Sequence, residues 1–427
     1  MRANSHDRPW SVRCCILAGL TGALIATAAR AEEGAFEKFA PRPASQSVPA
    51  NLMQGPHYRL VATVRTFGYL NSYVVPSDYG TFEARSDAML RRLVREINAI
   101  AALREVESTD AYADALGQAA MGPVRGVQSL VTAPVETVKA VPGAIFDIFA
   151  RAGEAVSTAV SGSKTEYEDS GAAQLLQMSS YKREYAKELG VDPYSGNPVL
   201  QEELNSVAWA AAAGGLTISA ATMASGSAAV TALSYARNLE QARNIVAAEP
   251  PAELTRRNRA ALAKMGIDKG LADRFLAQRQ FSPRHKTILV AALAAMEGTK
   301  GKKSLIEVAL EAPNEEMALY YQQVAELLDG YDERIARITR LERFNRQVVA
   351  HDRNGKAVIL APLDYIIWNE QVAAAARKIA KSMQLKPGGG KFELWIAGPA
   401  SPRFKMEAEA LGITVRERVT AQLPLLD

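Results

Sequence analysis

The chain has 427 residues, of which 48% are hydrophobic and 22% are charged. These proportions are ordinary for globular proteins, and they exclude a chain that is disordered throughout or built of many membrane-spanning helices. At roughly 100–200 residues per domain, the length allows two or three hydrophobic cores.

The first 31 residues predict a cleaved export signal. Three arginines precede an uncharged run of apolar and small residues over 14–29, and Ala29-Arg30-Ala31 has the small-x-small form of a cleavage site. At about 16 residues this run is shorter than the ~20 that a membrane-spanning helix needs, which disfavours an uncleaved anchor. We therefore expect a protein of the periplasm or cell envelope, exported by a signal peptide over 1–31.

Removal of this segment changes the charge of the chain. The formal net charge is +4, from 50 Lys and Arg residues against 46 Asp and Glu residues. The first 31 residues hold four Arg and one Asp, a charge of +3, so +1 remains for the mature chain. A nearly neutral exported protein has little electrostatic attraction for nucleic acid, and we expect no such partner.

The predicted mature chain also has few of the side chains that commonly carry chemistry. Its two cysteines, Cys14 and Cys15, leave with the signal, which excludes disulfides, thiolate metal sites and cysteine nucleophiles. The remaining histidines, His57, His285 and His351, are far apart, and neither a His-Glu-x-x-His nor a Gly-x-Ser-x-Gly motif is present. We expect no metal and no cofactor, and we favour a protein that is not an enzyme.

The N-terminal part of the mature chain predicts a small β unit. Residues 32–56 are rich in proline and polar residues, which is typical of a linker or an N-terminal arm. Over 57–106 a period-two alternation of apolar residues gives way to helical spacing, which predicts a three-stranded β-meander followed by a helix. Ser86 is placed to cap that helix. The predicted strands are Tyr58–Arg65, Tyr69–Val75 and Thr81–Arg85.

Residues 107–172 predict short amphipathic helices, each begun by a proline, and then a polar linker. Pro123-Val124-Arg125-Gly126-Val127 recurs eleven residues later as Pro134-Val135-Glu136-Thr137-Val138, and proline suits the first position of a helix. Such helices lie on a surface, which can be the protein's own core or a bilayer interface. Their apolar stripes hold few Lys or Arg residues, and this favours the core.

Residues 173–346 predict a helical bundle. A helix is expected over 173–189, and Asn197 can cap a second helix that has Pro198 at its first position. That helix leads into 204–236, an Ala- and Gly-rich stretch without a charged residue, which we interpret as a helical hairpin. The hairpin can be buried in a soluble core or inserted into a membrane. Alanine is only weakly lipophilic, which favours the soluble core.

Apolar residues continue at helical spacing through 252–346, and we expect antiparallel helices over this range. Ser282-Pro283 marks one helix start, and the pattern places His285 at an exposed position. The last apolar residues of the predicted helices are Ile335, Ile338, Leu341 and Phe344.

Residues 347–427 change to a small α/β unit. Asp352-Arg353-Asn354-Gly355 lies between two apolar runs and predicts a β-hairpin. The alternation of helices and strands beyond it predicts a mostly parallel sheet with right-handed crossovers. The predicted fold class is α+β and mostly α. After the hairpin the predicted elements are a helix over 369–384, a strand over Phe392–Ala397, a helix begun by Ser401-Pro402 and a strand over Ile413–Val419.

The turn between the strand at 392–397 and the following helix is a candidate anion site. The N–H groups and the positive end of a helix can hold an anion at such a turn. Pro399 and Pro402 lack N–H groups and no spaced-glycine fingerprint is present, so a simple capped turn is the alternative. The residues that would hold the anion are Gly398, Ser401, Arg403 and Lys405.

Two polar turns form a second candidate. Asp78 and Tyr79 lie in one turn, and Asp192, Tyr194 and Asn197 lie in the other. Neither turn has the ligand spacing of a calcium-binding EF-hand. We expect turn-forming and capping roles for these residues, and we select them for testing.

Three segments resemble uncharacterised exported bacterial proteins: Tyr69–Arg95, the stretch from Gly190 to Gln201, and the C-terminal Leu394-Trp395-Ile396-Ala397-Gly398 with Ala410-Leu411-Gly412. No activity is assigned to such proteins, so the resemblance implies no catalytic residue, cofactor or partner.

Three functional hypotheses follow. The first is an exported binding or scaffold protein of the periplasm or envelope, with an envelope protein as its partner. The second is a protein that associates with a membrane through 117–160 and 204–236. The third is an enzyme of hydrolase or transferase type that binds an anionic group at the 398–403 turn.

Overall fold

The computed structural model of the protein describes residues 36–121, 171–214 and 237–426, apart from Lys386 and Gly388–Gly390. The predicted signal peptide, the repeated proline-started helices with their linker, and most of the uncharged hairpin lie outside the described residues. The described chain is α+β and mostly helical, which confirms the predicted fold class.

Six strands form an N-terminal sheet: β1 (Arg42–Pro43), β2 (Gln54–Gly55), β3 (Tyr58–Arg59), β4 (Thr63–Phe67), β5 (Leu70–Ser77) and β6 (Gly80–Arg85). β5 lies at the centre and pairs antiparallel with β4, β3 and β6. The hairpins β4–β5 and β5–β6 are the predicted meander. The first predicted strand is divided into β3 and β4.

The segment predicted as a linker over 32–56 is part of this fold. β1 pairs antiparallel with β4, with Arg42 opposite Val64, and β2 pairs with β3. Upstream of β1, the N–H of Glu37 donates to the carbonyl of Trp368 at 2.8 Å. The linker prediction is therefore wrong for the described part of this segment, because proline is compatible with edge strands and with the start of helical turns.

Helix α1 (Asp87–Glu107) packs on the inner face of this sheet. The Ser86 Oγ accepts the N–H of Met89 at 3.0 Å, which confirms the predicted cap. The helix has 21 residues and so a length of about 31 Å. Its N-terminal half packs on Val64 and Tyr73 of the sheet, and its C-terminal half packs on helices. The helix is thus shared by two cores.

Three helices complete the second core: α2 (Asp110–Met121), α3 (Gly171–Glu188) and α4 (Pro198–Gly214). The Asn197 Oδ1 accepts the N–H of Val199 at 3.1 Å, so the predicted cap of α4 is confirmed. The described part of the uncharged stretch lies in α4. It contributes Leu204, Val207, Ala208, Ala210 and Ala211 to this core.

Six further helices follow: α5 (Arg237–Ala248), α6 (Pro251–Lys264), α7 (Lys269–Ala277), α8 (Pro283–Ala295), α9 (Lys303–Ala309) and α10 (Glu315–Arg334). The last five contribute residues to the main core, and α5 packs against α8. α10 is buried along most of its length, since it lies between the other helices and a second sheet.

The second sheet has the order β11-β10-β9-β8-β7, formed by β7 (Ile338–Phe344), β8 (Gln347–Asp352), β9 (Ala357–Ala361), β10 (Phe392–Ile396) and β11 (Ile413–Arg416). β9, β10 and β11 are parallel, whereas β7, β8 and β9 are antiparallel. α10 packs on one face, and α11 (Glu370–Ser382) and α12 (Pro402–Ala410) pack on the other. This is the predicted C-terminal α/β unit, with β7 added.

The stretch from Ile338 to Phe344, predicted as helix, is the added strand. A register shift between Ile338 and Arg340 interrupts its pairing with β8. Because a bulge places one extra residue on a strand, residues 338 and 341 both face inward and are buried. Two buried residues three positions apart are also what a helix would show, so the pattern was interpreted as helical. The prediction of helix through 346 is wrong.

Candidate functional site

Helix α1 carries polar side chains to three junctions with other parts of the chain. Because the helix is buried on most of its sides, these side chains meet other elements of the protein. The first junction is at Asp87, the second at Arg92 and Glu96, and the third at Arg104.

The middle junction, called here the Arg92 cluster, joins α1 to the loop 190–197 and to the first turn of α10. The Arg92 residue is only 4% exposed. Its guanidinium is 3.0 Å from the Glu96 carboxylate, 2.9 Å from Glu315 and 3.7 Å from Asp192. Three carboxylates from three elements thus converge on one guanidinium, whose donors lie in a rigid plane.

The loop 190–197 is shaped by its own polar side chains before it meets the cluster. The Asp192 Oδ1 accepts the N–H of Tyr194 at 2.9 Å, so the expected turn-forming role of Asp192 is confirmed. The Ser195 hydroxyl and the Asn197 amide then donate to the Glu96 carboxylate at 2.6 and 3.0 Å. Asn197 therefore caps α4 and holds Glu96 at the same time.

Tyr194 and Gly196 lie where the loop 190–197 packs against other parts of the chain. Burial raises the pKa of the Tyr194 hydroxyl, and the nearby Arg183 opposes the shift. A Cβ at position 196 would lie 2.4 Å from the Glu315 Oε2, so a larger residue there would displace that carboxylate.

The start of α8 adds His285 to the cluster. The Ser282 Oγ accepts the N–H of His285 at 3.2 Å, which confirms the predicted helix start. The prediction that His285 is exposed is wrong, because the residue is fully buried and its Nε2 lies 3.4 Å from the Arg92 Nη1. Periodicity places a side chain on a helix face, but it does not show which other element covers that face.

The Arg92 cluster has the chemistry of a structural crosslink. A guanidinium keeps its proton at all ordinary pH values, so Arg92 cannot serve as a general acid or base. Burial raises the pKa of Glu315, and Arg92 opposes that shift. Buried charges of this kind are stabilised only while all partners remain in place.

One amine beside the cluster has a pKa near neutrality. The Lys182 Nζ donates to the Gln201 Oε1 at 2.6 Å. Burial lowers the pKa of Lys182 to about 8, and the Asp192 carboxylate opposes the shift. Sequence reasoning missed Lys182, since an ordinary lysine on α3 has no signal for burial.

The first junction connects α1 to the α/β unit through two carboxyl groups. The Asp364 Oδ2 accepts the N–H groups of Asn71 and Asp87 at 2.8 and 3.1 Å. The Asp87 Oδ1 accepts from the Tyr73 hydroxyl at 2.5 Å and from the Asn71 amide at 2.8 Å. Burial raises the pKa of both carboxyl groups, and their mutual repulsion raises that of Asp364 further.

The third junction contains the predicted residues Asp78 and Tyr79. The Asp78 carboxylate lies 3.0 Å from the His57 Nδ1 at the surface. The Arg104 guanidinium lies 4.8 Å from the centre of the Tyr79 ring and also donates to Glu203 at 2.7 Å. Twelve positions along α1 separate Arg104 from Arg92, about 18 Å. The two predicted turns therefore belong to different junctions.

Another carboxyl group at the third junction has a shifted pKa. Burial raises the pKa of Glu107 to about 6, and the nearby Glu203 raises it as well. Tyr112 and Ser206 share a hydrogen bond of 2.6 Å at the same place. This junction thus ties the end of α1 to α2 and α4.

The predicted anion turn binds carboxylates of the same chain. The Ser401 Oγ caps α12 and donates to the Glu37 Oε2 at 2.6 Å, and the same Oε2 accepts the N–H of Trp368 at 2.6 Å. On the other side of the turn, the Glu417 carboxylate accepts from the Ala400 N–H at 2.6 Å. Glu37 was missed because it lies in the segment predicted as a linker.

The remaining residues of this turn are also engaged within the chain. The Lys405 Nζ donates to Glu417 at 3.0 Å, and Arg403 lies 3.8 Å from Glu407. The Gly398 N–H donates to the Leu363 carbonyl at 2.7 Å. A Cβ at position 398 would collide with the backbone of residue 364, so glycine serves close packing there. The geometry favours the alternative of a capped turn.

A buried carboxyl group also lies in the middle of α10. Asp329 is 5% exposed, and burial raises its pKa to about 7. The neighbouring Glu333 and Asp332 raise it further. In contrast, the Asp332 carboxylate accepts the Ile338 N–H at 2.6 Å and pairs with Arg337.

Two features are absent from the described residues: a metal-binding cluster and a membrane-spanning helix. Within 36–121, 171–214 and the described part of 237–426, no three or more His, Asp or Glu side chains are grouped so as to hold a metal ion. Over the same ranges, no helix is both long and apolar enough to cross a bilayer.

Comparisons with known proteins add no relative. No family model, no curated protein and no solved structure matches this chain. The resemblance to exported bacterial proteins therefore stays a prediction, and function is inferred from the geometry.

The first prediction concerns the Arg92 guanidinium. Arg92→Ala leaves the buried Glu96 and Asp192 carboxylates, and the partly exposed Glu315 carboxylate, without their shared counter-charge. We expect the free energy of unfolding to fall by about 3–5 kcal/mol. Urea unfolding at pH 7, followed by circular dichroism, measures this. The control is Arg256→Ala, which removes an exposed ion pair with Glu253 and should leave the urea midpoint unchanged. Equal midpoints for both variants would contradict the crosslink.

The second prediction concerns the pH dependence of Asp329. Because its pKa is higher in the folded than in the unfolded chain, the native state holds an extra proton between about pH 4 and pH 7. The contribution of Asp329 to stability therefore falls as the pH rises through this window. Asp329→Asn removes that loss. On going from pH 5 to pH 8, the free energy of unfolding of the variant should therefore rise by about 1–3 kcal/mol relative to that of the native protein.

Urea unfolding at both pH values measures this relative gain. Asp273→Asn, at an exposed carboxylate paired with Arg259, is the matched control and should show no such gain. A relative stability of Asp329→Asn that does not change with pH would show that Asp329 titrates normally.

Proposed function

We propose that the protein is an exported, non-catalytic binding or scaffold protein of the bacterial periplasm or cell envelope. The observation that supports this proposal is that the buried charged side chains of the Arg92 cluster pair with one another. In the Arg92 cluster, charged and polar groups of α1, the loop 190–197, α8 and α10 bond to one another and join these elements.

A catalytic site needs a reactive group within reach of a substrate. Arg92, Glu96 and Asp192 are all buried, and each is held by partners from a different element. The candidate anion turn has its donors on Glu37 and Glu417. These contacts favour a structural role for both places, and they leave the hydrolase or transferase hypothesis without a supporting site at either of them.

The crosslinks also suit an exported chain that is predicted to lose its only cysteines. Small exported domains often depend on disulfides for stability. Here three polar junctions along α1 connect the N-terminal sheet, the helical bundle and the α/β unit. Such a frame can present outer surfaces to an envelope protein partner in a fixed arrangement.

Fractionation of a Gram-negative host that expresses the full chain with a C-terminal tag tests this proposal. We expect the mature protein in the periplasmic extract with Glu32 as its first residue, and we expect crosslinking before lysis to join it to an envelope protein. Retention of residues 1–31, or turnover of a hydrolase or transferase substrate panel by the purified protein, would contradict the proposal.

Membrane association is a second candidate, favoured by one side chain. Trp209 of α4 lies in the uncharged stretch and is 40% exposed, and tryptophan is frequent at membrane interfaces. If this indole inserts into lipid, the protein should float with phospholipid vesicles and Trp209→Ala should lose most of that binding. Flotation that is equal for Trp209→Ala, or absent in the native protein, would exclude this role of Trp209.

A further inference from the structure

The outward side of the N-terminal sheet carries exposed apolar residues side by side. Val61, between β3 and β4, and Val74, on β5, are 42% and 37% exposed. The Val61 N–H donates to the Val74 carbonyl at 3.1 Å, so the two residues are neighbours. Phe67, at the end of β4 on the same side, is 65% exposed. The opposite side of the sheet is buried against α1.

The same outward side carries three arginines. Arg65 lies opposite Ser72 and Ser72 lies opposite Arg85, so the two arginines share one face two strands apart, about 10 Å. Arg59 projects from β3 on this face. Within the described part of the chain, none of these three side chains forms a hydrogen bond or an ion pair. Glu83, opposite Val74, is the acidic residue of this face. With the three arginines, the formal charge of the face is +2.

The combination differs from an ordinary solvated sheet face. Solvent-facing strands usually alternate apolar-in with polar-out, and an exposed phenylalanine contradicts that pattern. Arginine and aromatic residues are enriched where proteins bind proteins, whereas lysine is depleted there. This face has three arginines and no lysine.

We propose that this outer sheet face, defined by Arg59, Val61, Arg65, Phe67, Val74 and Arg85, docks an acidic protein surface. The proposal rests on the binding function proposed above and specifies the surface and its partner. Arginines on either side of the valines would pair with carboxylates of the partner, and Val61, Phe67 and Val74 would lose their contact with water. Complementary charge would set the affinity and the orientation of the complex.

The test uses the purified mature chain and two labelled peptides, one of alternating Glu and Leu and one of alternating Lys and Leu, in fluorescence anisotropy at low salt. We expect the acidic peptide to bind and the basic peptide not to bind. The double variant Arg65→Glu/Arg85→Glu should weaken binding by about tenfold or more, because two attractions become repulsions. Phe67→Ala should weaken it several-fold, because apolar contact is lost.

Arg353→Glu is the matched charge control, since Arg353 is exposed in the turn between β8 and β9, away from this face. It should change the affinity by less than about twofold, as expected for a remote charge. Weakening by Arg353→Glu equal to that by the double variant, no effect of Phe67→Ala, or no binding of the acidic peptide would each overturn the proposal.

Vesicles of phosphatidylglycerol separate a protein partner from a membrane. Co-sedimentation that depends on Arg65 and Arg85, without binding of the acidic peptide, would assign the face to an anionic lipid surface and overturn the proposal. The peptide assay reads only this face, so it can fail while fractionation and crosslinking still support an envelope binding protein. A retained signal or enzymatic turnover would remove the proposed function without changing the peptide result.

Discussion

The fold depends on one buried guanidinium. Arg92 neutralises carboxylates from α1, the loop 190–197 and the start of α10. The Glu96 and Asp192 side chains are too buried to be well solvated without it, whereas Glu315 is partly exposed. Transfer of each ion from water costs several kcal/mol, which is offset only when all the partners meet in good geometry. The cluster therefore favours a single arrangement of these elements, which hydrophobic contacts alone specify less sharply.

Helix α1 extends that constraint along its length. Asp364 accepts N–H groups at its start, Arg92 and Glu96 bind in its middle, and Arg104 pairs with Glu203 near its end. Each junction fastens a different part of the chain to the same helix. The inner face of the N-terminal sheet packs on α1, so its outer face, with Arg65 and Phe67, has a defined geometry. This is the physical basis of the proposed binding role.

Sequence patterns predicted the parts of the fold that depend on neighbours along the chain. The meander, the caps at Ser86 and Asn197, and the α/β unit after 347 all have local signals, and the structure contains them. The junctions have no such signal, because they pair residues that are remote in sequence: Ser195 with Glu96, and Asp364 with Asn71. Asp192 was correctly placed in a turn from its local sequence. Its position beside Arg92 was not predicted, because the two residues are remote in sequence. The bulge in β7 and the burial of His285 also depend on partners that periodicity does not identify.

The central claim is that Arg92 and its carboxylates act as one unit, and a double-mutant cycle between Arg92→Met and Glu96→Gln measures this most directly. If the cluster is a crosslink, the two substitutions together should be less destabilising than the sum of the single ones, with a coupling energy above about 1.5 kcal/mol in urea unfolding. Additivity within about 0.5 kcal/mol would mean that the two residues contribute independently, and it would contradict the account.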